Sequence, residues 1–178
     1  MKADDGVRKI VAAALREDIG TGDITTRLLL PKPPVVAAAI IAGDNGILCG
    51  LPVVEMVFSL LDKNIRITRK VKEGAAVRKG ALVCMMKGAS SEILTGERVA
   101  LNFLGRLSGI ATLTRRYVEA VRGHPVKILD TRKTTPGLRA LEKYAVRVGG
   151  GRNHRMGLWD RVLVKENHLA VLGSQLSV

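Results

Sequence analysis

A β-rich run at 126–129 breaks off at DTRKTTPG (130–137), and this passage from buried-type residues to a polar turn closed by Pro136-Gly137 most limits how the chain can fold. A helical stretch follows over 138–147, then a triple glycine at 149–151, then a second apolar run that ends in Lys165. Strand, helix and strand at this spacing predict a βαβ unit, with 126–130 and 161–165 parallel and joined by a right-handed crossover. Such a unit is covered on both faces and needs neighbours. Ligands of α/β folds gather at the carboxyl ends of the strands, so the loop 131–137 is the first place to look for a site.

Charge points to the same stretch. Between 127 and 168, ten Lys and Arg stand against four acids, a net of +6 within a chain of formal charge +13. Basic groups collected at a strand end and around glycines suit a small ligand with several negative charges. A charge of +13 also raises nucleic acid as a partner, but only 3% of the residues are aromatic and the basic ones form neither a tail nor an unbroken stripe. Both the stacking platforms and the continuous electrostatic track of such binders are missing, which argues against nucleic acid as the primary partner.

The first hundred residues read as an α+β unit. Val7, Ile10, Val11, Ala14 and Leu15 recur at helical spacing over 4–17, behind Asp4 and Asp5 as caps. The segment 17–26 reads as a turn, with two glycines and several side chains able to bond the backbone. A β-rich run at 35–43, a helix over 53–61 and short alternating runs across 65–88 predict a small sheet. VKEGAAVRKGALV at 71–83 also resembles the hairpin of lipoyl and biotinyl carrier domains. A carrier displays a lysine at a tight turn, however, and Lys87 lies on the wrong side of the repeat, so the hairpin is read as structural.

A long buried helix is expected to start at Ser90, to loosen at Gly105, Ser108 and Gly109, and to give way to a second helix over 112–121. The expected domains are therefore 1–108, α+β, and 109–178. No apolar run approaches the roughly 20 residues of a membrane span, and the first residues lead into an amphipathic segment instead of a signal sequence. Cys49 and Cys84 have no CxxC spacing and no His companion, and read as small buried hydrophobes of a reducing cytosol. A cytoplasmic location is expected.

DTRKTTPGLR at 130–139, LEKYAV at 141–146, GGGRNHRMGL at 149–158 and VKENH at 164–168 together resemble the C-terminal-domain signature of the quinolinate phosphoribosyltransferase family. EDIGTGDITT at 17–26 and GERVALNFLGRLSGIAT at 96–112 resemble the same family's N-terminal and central motifs, so the resemblance runs the length of the chain. It implies an α/β fold in which the α+β unit is followed by a parallel α/β barrel. The family's chains are considerably longer, so only the start of that barrel is expected here, as in a C-terminally truncated member. It also implies transfer of a phosphoribosyl group from phosphoribosyl pyrophosphate to quinolinate with decarboxylation, giving nicotinate mononucleotide in NAD biosynthesis. Two other readings stay open: a non-catalytic dimerisation or binding module, and the related paralogue of molybdate transport loci.

Thr131, Arg132 and Lys133 lie where a strand's carboxyl end would aim them into the crevice, Arg offering a planar fork for a carboxylate and Lys a compact charge for a phosphate. Lys165 ends an apolar run, where packing gives no reason for a lysine. From the residues alone, the glycines at 149–151 are either a phosphate loop or a helix stop. His154 beside Arg155 is equally either structural or a carboxylate ligand, and His168 receives no role. The resemblance implies that Arg98, Arg132, His154 and Arg155 hold two carboxylates, and that Lys133 and Lys165 neutralise the anionic groups around a leaving pyrophosphate. It further implies a homodimer in which Arg98 reaches the partner's site. No residue is assigned as acid, base or nucleophile, since positioning and electrostatics suffice. Magnesium is implied together with phosphoribosyl pyrophosphate, although the acidic residues that contact it in the family are missing from this sequence.

Overall fold

Helix α1 (Asp5–Ile19) buries Val7, Val11 and Leu15, about one residue per turn, as the apolar spacing requires. The computed structural model describes residues 5–173. After Gly20 and Gly22 the chain departs from the expected turn. The carboxylate of Asp23 accepts the Thr26 N–H at 2.9 Å and the Thr26 hydroxyl at 2.5 Å, and this cap starts a short helix, α2 (Ile24–Leu29). These bonds, the side-chain one foremost, hold the Asp23 carboxyl below the usual range.

The strands follow: β1 (Val35–Ile41), β2 (Gly46–Ile47), then, beyond helix α3 (Leu51–Leu61), β3 (Arg66–Arg69), β4 (Ala76–Val77) and β5 (Leu82–Ala89). β5 lies in the middle of an antiparallel sheet of order β1-β5-β3, and β2 pairs with β4. The core gathers around α3, which packs on α1 and on the long helix that follows the sheet and buries Leu51, Val53, Val54, Val57 and Phe58. Helix α3 has no side-chain cap of its own. Glu73, from the loop before β4, accepts the N–H groups of Gly50 and Leu51 at 2.7 and 3.0 Å, placing an anion at the positive end of the helix. Gly50 is required there, because its φ is 120° and a Cβ would stand 3.2 Å from Leu107. Cys49 and Cys84 are buried free thiols, as their spacing implied; burial, with Glu73 close by, pushes the Cys49 thiol far up.

Helix α4 (Ser90–Ala120) is a single helix of 31 residues and not the expected pair. Gly105 and Gly109 do not break it, because both are exposed and nothing lies within 4 Å of a Cβ added at either, while Leu104, Leu107 and Ala111 pack inward on the same turns. Each glycine costs about 1 kcal/mol of helix propensity. Burial of a single leucine offsets more than that.

Past α4 the expected βαβ unit is only partly realised. Helix α5 (Arg139–Val148) forms and packs Leu141, Tyr144 and Ala145 inward. The parallel neighbour of 126–130, however, is Arg152: Leu129 and Arg152 make an isolated parallel bridge, with the Arg152 N–H on the Ile128 carbonyl at 2.9 Å and the Asp130 N–H on the Arg152 carbonyl at 3.2 Å. The expected strand 161–165 is not one. Its residues are exposed and pair with no strand, and helix α6 (Glu166–Gly173) follows. The glycines at 149–151 stop α5 and let it approach α4, since a Cβ on Gly149 would sit 2.5 Å from the Ala111 carbonyl oxygen. They serve as a helix stop. Small antiparallel sheet, long helix and unclosed α/β unit together make the mixed architecture expected from the sequence. Among the described residues, no helix is long and apolar enough to cross a membrane.

Candidate functional site

Six of the seven residues singled out by the sequence meet in one pocket. Thr131, Arg132, Lys133, His154, Arg155 and Lys165, with Asp130 and Leu163, line a space of about 250 Å³, room for a single small ring with its substituents. The seventh, Arg98, lies on the exposed side of α4 and does not line it. A larger cavity of about 500 Å³ between the β2 region and α4 offers only Asp44 and Arg116 as charged groups. Convergent cations are found in the smaller one.

The loop 131–137 is held from three sides. The backbone N–H of Lys133 donates to the Thr131 hydroxyl at 3.0 Å, so Thr131 shapes its own turn. Arg139, at the start of α5, donates from Nε to the Thr134 hydroxyl at 3.1 Å and from Nη1 to the Met156 carbonyl at 3.2 Å, tying the loop to the 153–157 segment. From α4, Arg106 donates to Glu142 and to the Thr135 hydroxyl, while the Thr135 N–H donates to the other Glu142 oxygen at 3.1 Å. Burial alone would raise the Glu142 carboxyl; the Arg106 and Thr135 hydrogen bonds outweigh it and hold the group below its ordinary value.

Beneath the pocket lies a second knot of polar groups. Asp130 accepts from Lys143 Nζ, from Asn153 Nδ2 and, at 2.8 Å, from the backbone N–H of His154. Both oxygens are spoken for. Tyr144, next along α5, donates its hydroxyl to Glu73 at 2.9 Å, so the helix supporting the pocket is also fastened to the small sheet. Burial and the neighbouring Glu73 together push the Tyr144 hydroxyl far up.

Two guanidiniums line the pocket. Arg155 is buried, with Nη1 on the Arg161 carbonyl at 3.1 Å. Arg132 keeps its Nε buried with no partner. A buried donor left unmade costs about 1–3 kcal/mol, and an incoming carboxylate would remove that cost. His168 is structural: its Nδ1 accepts the Lys165 N–H at 2.9 Å at the entry to α6. Arg106, Arg139, Glu142, Lys143 and Asn153 shape the pocket from behind and carry no mark of that role in the sequence. Arg139 and Lys143 stand four apart and so share a face of α5, but a basic pair on a polar helix face looks solvated until its partners are seen.

The comparisons agree across both parts of the chain. Residues 23–108 match the family model for the quinolinate phosphoribosyl transferase N-terminal domain, and residues 110–178 match that for its C-terminal domain. A probable nicotinate-nucleotide pyrophosphorylase (carboxylating) of Bacillus subtilis is 46% identical over 96% of this chain and 58% of its own length. A mitochondrial quinolinate phosphoribosyltransferase (decarboxylating) of Nicotiana tabacum is 42% identical over 94% and 47%. Among solved structures, NadC from Streptococcus pyogenes superposes with a TM-score of 0.90 at 44% identity, covering 94% of this chain and 60% of that one. The nicotinate-nucleotide pyrophosphorylase of Francisella tularensis gives 0.88 at 45%, covering 93% and 59%. The chain thus spans about half the length of the curated relatives it matches.

Proposed function

This chain belongs to the quinolinate phosphoribosyltransferase family, and from that membership we propose that its pocket binds quinolinate, with phosphoribosyl pyrophosphate alongside rather than within it, and supports formation of nicotinate mononucleotide in NAD biosynthesis. The observation that carries this reading is the convergence of Arg132, Lys133, His154, Arg155 and Lys165 on one small pocket in which Arg132 Nε lacks an acceptor. Arg132, His154 and Arg155 grip the adjacent carboxylates of the ring, with Arg98 contributed across a homodimer. Lys133 and Lys165 draw off charge as pyrophosphate leaves the ribose C1 carbon. The ring nitrogen bonds to that carbon; the neighbouring carboxylate then departs as carbon dioxide, leaving its electron pair on the ring carbon beside the cationic nitrogen, which stabilises it until that carbon takes a proton from water. No covalent nucleophile is required, and the chain supplies orientation and a preset field.

Magnesium held by the protein does not fit here. Asp130, the pocket's one acid, has both oxygens engaged, and no group of three potential ligands occurs among the described residues. In our reading magnesium enters as the counter-ion of phosphoribosyl pyrophosphate, and the buried free thiols suit work in the cytoplasm. A second reading, a binding module without turnover, is favoured by the exposure of Val162 and Val164 beside Lys165, which points to a need for cover before the site is complete. Incubation with both substrates and magnesium, followed by chromatography of the nucleotide product, separates them. Nicotinate mononucleotide lost on Arg132→Ala supports the enzyme, and folded protein that binds quinolinate without product supports the module.

A further inference from the structure

Lys143 is the residue that the substrate reading leaves without a use. It belongs to α5 and not to the pocket wall, yet its side chain is only 1% exposed, and lysines are almost never buried to that degree unless paired. Its Nζ donates to Asp130 Oδ1 and, at 3.1 Å, to the His154 carbonyl. The same Asp130 oxygen accepts the His154 N–H, while Asn153 Nδ2 donates to Asp130 Oδ2 and, at 2.8 Å, to the Lys143 carbonyl. One ammonium therefore grips both pieces of the pocket: the strand end bearing Thr131, Arg132 and Lys133, and the segment bearing His154 and Arg155. The backbone joins those pieces by a single parallel bridge at Leu129 and Arg152, which is a slight hold on their register.

We propose that Lys143 is a positioning residue: through Asp130 and Asn153 it fixes the spacing of Arg132 against His154 and Arg155, and so makes the pocket selective for two adjacent carboxylates over one. The inference rests on the reading of the pocket as a quinolinate site. Two carboxylates on one rigid ring are gripped together only if the cationic groups keep their separation, whereas a single carboxylate needs one of them. Loosening the register therefore weakens the dicarboxylate more than the monocarboxylate. A lysine that served stability alone would leave that preference untouched.

The test compares quinolinate with nicotinate, the same ring with one carboxylate, by calorimetry, and follows hydrogen exchange at the His154 amide. Lys143→Met leaves Asp130 buried without its cation and is expected to unfold more easily. Lys143→Met/Asp130→Asn removes both charges and is the variant on which the proposal stands if the single one fails to fold. Val54→Ala, in the distant α3 core, supplies a comparable loss of stability. At a temperature where the proteins are folded, the Lys143 variants should bind quinolinate more weakly by on the order of tenfold or more. Nicotinate should lose less, the His154 amide should exchange faster, and Val54→Ala should lower the Tm with neither change. Native preference for quinolinate together with native His154 exchange in a folded Lys143 variant would overturn the proposal. If the unaltered chain binds no quinolinate, the reading of the pocket falls instead. His154 exchange then decides by itself whether Lys143 holds the segment.

Discussion

Two apolar runs in this chain meet opposite fates. Val83 and Cys84 of β5 lie between β1 and β3 and are 1% and 0% exposed, whereas Val162, in a run just as apolar, is 93% exposed and has no strand beside it. The difference lies in partners and not in composition. A hydrophobic run records which residues seek burial, but a ladder forms only where another backbone arrives at strand spacing. The pocket straddles the two conditions. Its Thr131, Arg132, Lys133, His154 and Arg155 are clamped by α5, and its Leu163 and Lys165 come from the uncovered stretch.

The contrast breaks most visibly in the covered core around α3. Phe58→Ala removes a side chain 1% exposed from the α3 core, and it should cost about 3–5 kcal/mol in denaturant unfolding. A loss below about 1 kcal/mol would mean that this core is no better packed than an average surface. Glu73→Ala should cost about 1–3 kcal/mol, since it strips the N–H groups of Gly50 and Leu51 and the Tyr144 hydroxyl of their acceptor. Tyr144→Phe should cost less, because Glu73 keeps its two backbone donors.

A smaller effect, in pH, tests the clamp on the 131–137 loop. Glu142 has a depressed value in the folded protein, so its contribution is present above the unfolded carboxyl range and is lost as pH falls through the folded value. The stability gap between the unaltered chain and Glu142→Gln should accordingly be full at neutral pH and close in acid below about pH 4. A gap independent of pH would remove the Arg106–Glu142 contact from the account. Smallest of all, Val162→Ser should change unfolding by no more than about 0.5 kcal/mol, as expected of an exposed position. A loss of several kcal/mol would show that Val162 is covered in solution.

Much of the covered part was legible because its signals are local. Apolar spacing marked α1, alternation marked the small sheet, and residue chemistry at a strand end marked Arg132 and Lys133 before any partner was known. What escaped reading depended on tertiary context. Gly105 and Gly109 look like helix breakers until they are seen to face open space, and ITTRLL at 24–29 becomes a helix only through the Asp23 cap. The run 161–165 has every mark of a strand except a neighbour, and Arg152 takes the place beside Leu129. Lys143 lies within LEKYAV, but nothing in the sequence marks it as buried, because a lysine on a helix is ordinarily solvated and its burial is created by Asp130 and Asn153 arriving from elsewhere.

The central claim is that the clamped part already forms a carboxylate site. Calorimetric titration of quinolinate into the unaltered chain and into Arg132→Ala tests it most directly, at low salt and with both proteins shown to be folded. The account predicts saturable binding by the first and its loss in the second. Equal heats from the two, or none from the unaltered chain, would contradict it.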